Sequence, residues 1–250
     1  MSDNLIISEI FGPTIQGEGP YAGHPSVFLR LGRCNLDCSW CDTPYTWDWK
    51  GKNGVAYDPK VELIEMSIDD VAQTIEEMTP ILASSNMRLV ITGGEPLIQK
   101  QKLETLIHTL RTTSDLGEIY IDIETNGTQS PLFADDVFYC VSPKLSGSGV
   151  RWRPSWDKKM KLYAQRSWEG SAALKFVITE ERHDHELGEV EAFVSKFNFF
   201  RNMVYLMPEG QTNAELNSNH VSKVAQSCID LGYTYSDRLH VRLWDDKRGV

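Results

Sequence analysis

Residues 34–41 read Cys34-Asn35-Leu36-Asp37-Cys38-Ser39-Trp40-Cys41, three cysteines in the spacing Cys-x3-Cys-x2-Cys with no fourth cysteine nearby. Thiolates are soft ligands that select zinc, copper(I) or iron–sulfur clusters. A closed zinc site takes four protein ligands, and a [4Fe–4S] cluster ordinarily takes four cysteines. Three ligands on one short loop therefore leave one iron of such a cluster open to a ligand that is not protein. A Cys3His zinc knuckle would need a histidine close by, and the nearest are His24 before the triplet and His108 after it. Ligand count favours the cluster.

The chain around this loop has the composition of an ordinary water-soluble domain. Its 250 residues are 41% hydrophobic and 24% charged, which fits a single domain over 1–250 of the size common among α/β barrels. No apolar run approaches the length of a membrane span, and the start lacks a basic-then-apolar signal, so a cytoplasmic protein is expected. In a reducing compartment clustered cysteines point to metal rather than disulfides, and the remaining Cys140 and Cys228 read as core residues. A net charge of −10 argues against a broad nucleic-acid surface, because such affinity comes from Lys and Arg on phosphates. It leaves room for a small anionic substrate in a locally basic pocket.

Beyond the cysteines, short β-rich runs alternate with helical stretches. Strands are predicted over 4–10, 26–31, 87–92, 118–124, 137–142, 173–179, 202–207 and 238–244. Helices are predicted over 67–79, 99–113, 157–166, 184–197 and 213–231. Ser67 followed by Asp70 reads as a capping start, with Ile68, Val71, Ile75 and Met78 on one face. Such βαβ units imply a parallel sheet, and about six strands are too few for a full eight-stranded barrel. An open, TIM-like partial barrel is expected. Residues 45–66 read as an inserted loop or small hairpin, and 145–156 as a second irregular excursion. His183 and His185, set among acidic residues, read as a solvated helix start rather than a metal pair.

In barrel and open α/β folds the chemistry gathers at the C-terminal strand ends. Four polar segments fall there: Thr92-Gly93-Gly94-Glu95-Pro96, Glu124-Thr125-Asn126-Gly127, Ser142-Pro143-Lys144 and Met207-Pro208-Glu209-Gly210. Each alone reads as a turn. Their recurrence on one rim makes a site.

The cysteine spacing, the aromatic Trp40 before the last cysteine and the Gly93-Gly94-Glu95-Pro96 segment together resemble the radical S-adenosylmethionine (SAM) superfamily. The resemblance implies a [4Fe–4S] cluster on Cys34, Cys38 and Cys41, with the open iron chelated by the amino and carboxylate groups of SAM. It further implies SAM contacts from Trp40, Asp42, Gly93, Gly94, Glu95, Thr125, Asn126, Ser142, Pro143, Lys144, Met207, Pro208, Glu209 and Gly210.

A narrower likeness lies in Glu9-Ile10-Phe11, Thr14-Ile15-Gln16-Gly17-Glu18-Gly19, Val27-Phe28-Leu29-Arg30, Cys41-Asp42-Thr43 and the C-terminal Leu239-His240, Trp244 and Lys247-Arg248-Gly249-Val250. These stretches resemble the 7-carboxy-7-deazaguanine synthases, ring-contracting lyases of queuosine-type 7-deazapurine biosynthesis. The resemblance implies conversion of 6-carboxy-5,6,7,8-tetrahydropterin to 7-carboxy-7-deazaguanine with loss of ammonia. Substrate contacts would come from Ile15, Gln16, Gly17, Glu18, Arg30, Thr92, His240 and Val250, with Mg²⁺ on Thr43. Gln16 offers amide donors and an acceptor to a pterin edge, and Arg30 a planar fork to a carboxylate. His240 is placed on the last predicted strand. A flavodoxin-like electron donor and a homodimer are family expectations. The competing readings are a glycyl-radical activase, which leaves Gln16, Arg30 and Thr43 without a purpose, and a non-catalytic iron–sulfur or zinc module, which leaves the strand-end motifs without one.

Overall fold

The computed structural model describes residues 4–79, 86–112, 119–134 and 136–250. Its strands are β1 (Leu5–Ile15), β2 (Pro25–Leu31), β3 (Ile64–Met66), β4 (Arg88–Gly93), β5 (Tyr120–Thr125), β6 (Val137–Val141), β7 (Ala172–Ile178), β8 (Val204–Pro208) and β9 (Thr234–Tyr235). Its helices are α1 (Pro59–Glu62), α2 (Ile68–Met78), α3 (Lys100–Thr112), α4 (Asp157–Trp168), α5 (His183–Phe197), α6 (Asn219–Leu231) and α7 (Leu239–Trp244). Residues 113 and 118, at the predicted ends of a helix and a strand, lie outside the described residues.

The strands form one sheet in the order β3-β1-β2-β4-β5-β6-β7-β8-β9. From β2 through β9 every neighbouring pair is parallel, while β1 runs antiparallel to β2 and β3 antiparallel to β1. The sheet is the expected open, TIM-like partial barrel, with β3 and β9 as its edges.

Alternation along the strands sorts residues onto two faces. Val27, Leu29, Leu89, Ile91, Ile121, Ile123, Tyr139, Leu174, Phe176 and Leu206 form the buried core with the apolar faces of α2–α6. The opposite parity (Phe28, Arg30, Thr92, Glu124, Cys140, Lys175, Val177 and Met207) faces a cavity inside the curve. Near the N-terminal strand ends the Arg88 guanidinium pairs with Asp122 and lies over the Tyr21 ring at 3.4 Å, a polar floor held by charge and π attraction. Ser67 caps α2 by accepting from the Asp70 amide at 3.1 Å, worth about 1 kcal/mol.

Several local expectations change. The predicted strand 238–244 is the helix α7, because β9 already occupies the edge beside β8. The alternation of Leu239, Val241 and Leu243 is too short to discriminate, and only Val241 is buried while Leu243 is exposed. The helix predicted over 213–231 starts at Asn219, after a separate single turn over Glu215–Asn217. Residues 45–66 form no hairpin. Their end becomes β3, which extends the sheet beyond β1, pairing Leu5 with Met66. The excursion 145–156 lies beneath the cysteine loop: Leu36, Cys38 and Trp156 make a small separate core, and Ser39 donates its amide to the Ser148 carbonyl at 2.9 Å. His183 is not a solvated residue at all. It is buried, 3.0 Å from the Ser227 hydroxyl and edge-on to His220, while its neighbour His185 is exposed beside Glu189.

Candidate active site

A cavity of about 310 Å³ opens at the C-terminal strand ends, and the three cysteines border it. Their loop leaves β2 through Arg33, a non-glycine in the left-handed region at φ 75°. Short-range contacts over-determine that turn. The Arg33 amide donates to the Thr46 carbonyl at 2.7 Å, and its own carbonyl accepts from the Glu95 amide at 2.9 Å. Asn126 donates to Asn35 at 3.0 Å, Asn35 to Thr128 at 2.7 Å, and Asn53 to the Cys38 carbonyl at 3.0 Å. Burial pushes the Cys34 thiol up to about 12 and raises Cys38 and Cys41 as well. Binding a metal as thiolates would need its charge to offset that burial.

Gly93 and Gly94 bring β4 against this loop. A Cβ on Gly94 would overlap the Arg33 carbonyl and come within 2.8 Å of Cys34 Cβ, and one on Gly93 (φ 132°) would overlap the backbone of Leu31. The glycines thus serve the seating of the cysteine loop, where the superfamily resemblance implied them only as SAM contacts. Glu95 also differs from expectation. Its carboxylate is fully buried, does not border the cavity, and accepts from Thr125 Oγ1 at 2.8 Å, Asn126 N at 2.7 Å and Leu97 N at 3.1 Å. Burial pushes it up to about 7. It locks the first strand-end segment to the second.

The far end of the cavity is a charge network. Lys175 of β7 pairs with Glu18 and stands 3.8 Å from Glu124. Arg238 donates to Glu18 at 2.9 Å, to the Gly210 carbonyl at 2.6 Å and to Asp42. Burial alone would raise the Glu18 carboxyl, but Lys175 and Arg238 outweigh it and hold it well below the usual range. Glu124 accepts from Thr92 Oγ1 at 2.8 Å and from Gln16 Nε2 at 3.2 Å. His240 stands on α7 rather than on a strand. It covers Gly17 so closely that any Cβ there would overlap its ring, and the Leu239 amide donates to the Gly17 carbonyl at 2.8 Å. Arg30 pairs with Glu9 at 2.6 Å and still borders the cavity, near the stacked rings of Phe11 and Phe28.

Of the expected site residues, Ile15, Gln16, Gly17, Glu18, Arg30, Cys34, Cys38, Trp40, Cys41, Asp42, Thr43, Thr92, Gly93, Gly94, Thr125, Asn126, Ser142, Lys144, Met207, His240 and Val250 border this one cavity. Glu95, Pro143, Pro208, Glu209 and Gly210 do not; Gly210 takes part through its carbonyl on Arg238.

A radical SAM superfamily profile matches residues 29–138. Curated relatives match over nearly the whole chain. The 7-carboxy-7-deazaguanine synthase of Hyperthermus butylicus is 33% identical across 95% of this chain and 92% of its own length. That of Thermoplasma acidophilum is 35% identical across 98% and 100%. The chain belongs to the 7-carboxy-7-deazaguanine synthase family. In fold it is similar to the crystal structure of QueE from Escherichia coli, with a TM-score of 0.63 at 23% identity over 95% of each chain. It also resembles anSMEcpe solved with bound AdoMet, with a TM-score of 0.52 at 16% identity over 82% of this chain and 61% of that one.

Membership in the 7-carboxy-7-deazaguanine synthases brings a [4Fe–4S] cluster and SAM, and the residues present fit both. Three soft thiols border one cavity, which is the donor chemistry a cluster takes. Cavity residues of this synthase given no role from sequence include Lys175, Arg238, Glu124, Phe11 and Trp47. Lys175 had a legible signal, a lone cation inside the apolar strand Ala172–Ile178. Glu124 opened a quoted segment, as Thr92 did, and shares its parity. Arg238 carried none, since its partners Glu18 and Asp42 lie about two hundred positions away.

Proposed function

We propose that this cavity converts 6-carboxy-5,6,7,8-tetrahydropterin to 7-carboxy-7-deazaguanine and ammonia, with Cys34, Cys38 and Cys41 holding the cluster and the Gly93–Gly94, Asn126, Ser142 and Lys144 side receiving SAM. The observation that carries it is one cavity joining three soft ligands at one end to a fixed lattice of Gln16, Glu18, Glu124 and Lys175 at the other. When held by Cys34, Cys38 and Cys41 and by the strand-end segments, the cluster and SAM would supply one-electron radical chemistry to the pterin. The chain's own residues bind and orient. Glu18 and Glu124 present carboxylate acceptors, pre-aligned by Lys175, Arg238, Thr92 and Gln16, to the donor edge of the pterin. Arg30 is anchored by Glu9 and turns its guanidinium toward the substrate carboxylate. Residues Asp245–Val250 border the same cavity and help to exclude water. We take a flavodoxin-like donor, a homodimer, a single working domain and a cytoplasmic setting as parts of the same reading; among the described residues no helix is long and apolar enough to cross a membrane.

The test is anaerobic reconstitution with iron and sulfide, then SAM cleavage with and without the carboxypterin. Turnover of the pterin with release of ammonia supports the reading; cleavage indifferent to it favours an activase. In the same assay Arg30→Ala is expected to raise the KM for carboxypterin roughly 10–100-fold, the cost of a lost charge-assisted contact. Substrate-free SAM cleavage should survive. An unchanged KM returns Arg30 to its ion pair with Glu9 alone.

Magnesium belongs to this proposal through Thr43. The Thr43 carbonyl is used by Thr46, accepting from its amide at 3.0 Å and its hydroxyl at 2.8 Å, so the hydroxyl, bordering the cavity, is the oxygen left for a hard ion. Omitting Mg²⁺ is expected to lower turnover without bleaching the cluster. Thr43→Ala should be comparably slow and nearly insensitive to added Mg²⁺, and Thr43→Ser partly active. Parallel magnesium titrations for wild type and Thr43→Ala decide it, and superimposable curves place the ion elsewhere.

A further inference from the structure

Backbone amides point at the cysteine sulfurs, Leu36 N at Cys34 Sγ at 3.4 Å and that of Thr43 at Cys41. A nitrogen-bearing side chain from outside the cysteine loop joins them: the Trp47 indole Nε1–H on Cys41 Sγ at 3.3 Å. The geometry points to Trp47 as the residue that sets the reduction potential of the cluster, by directing its N–H dipole at the Cys41 sulfur and so favouring the reduced form. This rests on the reading of Cys34, Cys38 and Cys41 as cluster ligands.

The indole is held in place by its backbone. Trp47 follows a tight turn over Pro44–Thr46, its amide bonded to the Pro44 carbonyl at 3.0 Å. Before it, the Thr46 carbonyl receives the Arg33 amide at 2.7 Å. After it, the buried Asp48 carboxylate collects the amides of Lys52 at 2.9 Å and Asn53 at 2.8 Å. Asn53 in turn reaches the Cys38 carbonyl at 3.0 Å. Residues 46–53 therefore clasp the cysteine loop from outside, and the indole is the part of the clasp that meets a sulfur.

The direction of the effect follows from charge. An electron added to a cluster spreads onto its sulfurs, so a donor aimed at one of them stabilises the reduced state more than the oxidised. The carboxylate next in sequence to Cys41, Asp42, would oppose reduction, but it is paired with Arg238. With that charge matched, the indole N–H adds a side-chain dipole at Cys41 to that of the Thr43 backbone amide. The Thr43 hydroxyl, 3.8 Å from the same sulfur, is a longer contact than the indole at 3.3 Å.

The experiment is a redox titration of the reconstituted protein, followed by electron paramagnetic resonance without SAM or substrate. Wild type is compared with Trp47→Phe and with Trp47 replaced by 3-benzothienylalanine, which keeps the bicyclic shape and loses only the N–H. At the wild-type midpoint both variants are expected to show the reduced-to-oxidised ratio lowered about tenfold, the scale of one hydrogen bond to a charged acceptor. Iron content should stay at the wild-type level in the benzothienyl variant. If Trp47→Phe fails to hold a cluster, the benzothienyl protein gives the answer by itself. Wild-type midpoints in the variants would overturn the role of Trp47 and leave the cluster assignment standing. Failure of the wild-type protein to form a [4Fe–4S] signal would overturn both.

Discussion

Cys38→Ala is expected to abolish the [4Fe–4S] spectrum and all SAM cleavage, with turnover falling below detection. The other two thiols cannot compensate, because each sulfur holds a different iron and the loop brings no spare ligand. The neighbouring acceptors are hard: Asp42 is committed to Arg238, and the Thr43 hydroxyl is a neutral oxygen. The fold itself should persist, since Cys38 belongs to a three-residue satellite core with Leu36 and Trp156, apart from the main one. Far-ultraviolet circular dichroism should match wild type while the visible absorption of the cluster is gone. Cys228→Ala is the matched control. That thiol is buried in α6, and its loss costs packing of about 1 kcal/mol without touching the cavity. Cys140 is a poorer control, because it borders the cavity beside Lys175 and Gly19. Normal SAM cleavage by Cys38→Ala would sink the cluster assignment.

Gly94→Val is expected to lose cluster loading and SAM binding together, and even Gly94→Ala should lose most of both. The added Cβ has no open side: Arg33 C lies 2.6 Å and Cys34 Cβ 2.8 Å from where it would sit. These are backbone and near-backbone atoms that cannot swing away as a long side chain would. To admit the methyl, either β4 or the turn at Arg33 must move. That turn is pinned by Thr46 and Glu95 and already carries a left-handed residue. Displacing it moves Cys34 directly. Iron content per chain after reconstitution and equilibrium SAM binding are the measurements. A Gly94→Ala protein with full iron and weakened SAM binding would show that the glycine serves the nucleotide alone, and that the loop yields more easily than its contacts indicate.

Legibility in the sequence depended on range. The cysteine triplet, the Gly-Gly-Glu-Pro turn and the alternating runs are local patterns, and they carried the ligand type, the parallel sheet and the rim of strand ends. The helix cap at Ser67 was equally local and forms as expected. The last element went wrong for a physical reason: six residues of alternating apolar character suit a strand or a short helix alike. The choice fell to β9, which had taken the sheet edge. His183 was misread because Glu180, Glu181 and Asp184 beside it face solvent while its own ring turns inward to Ser227 and His220.

The chain's local chemistry was thus enough to name the cluster, the cofactor and the family of fold, because soft-ligand spacing and strand periodicity are properties of neighbouring residues. Folding alone decided how the charges are matched. Glu18, Lys175 and Arg238 lie 157 to 220 positions apart along the chain in their pairings, yet they meet in one network inside the barrel. No single segment carries a sign of that meeting, since a buried carboxylate becomes favourable only once β7 and the residues before α7 deliver cations to it. The same holds for Glu95, which reads as a ligand-binding carboxylate in its own motif and is instead spent on Thr125 and Asn126 of the next strand end. It holds too for Trp47, an indole in an irregular insert that becomes a donor to a sulfur only when the chain folds back over the cysteine loop.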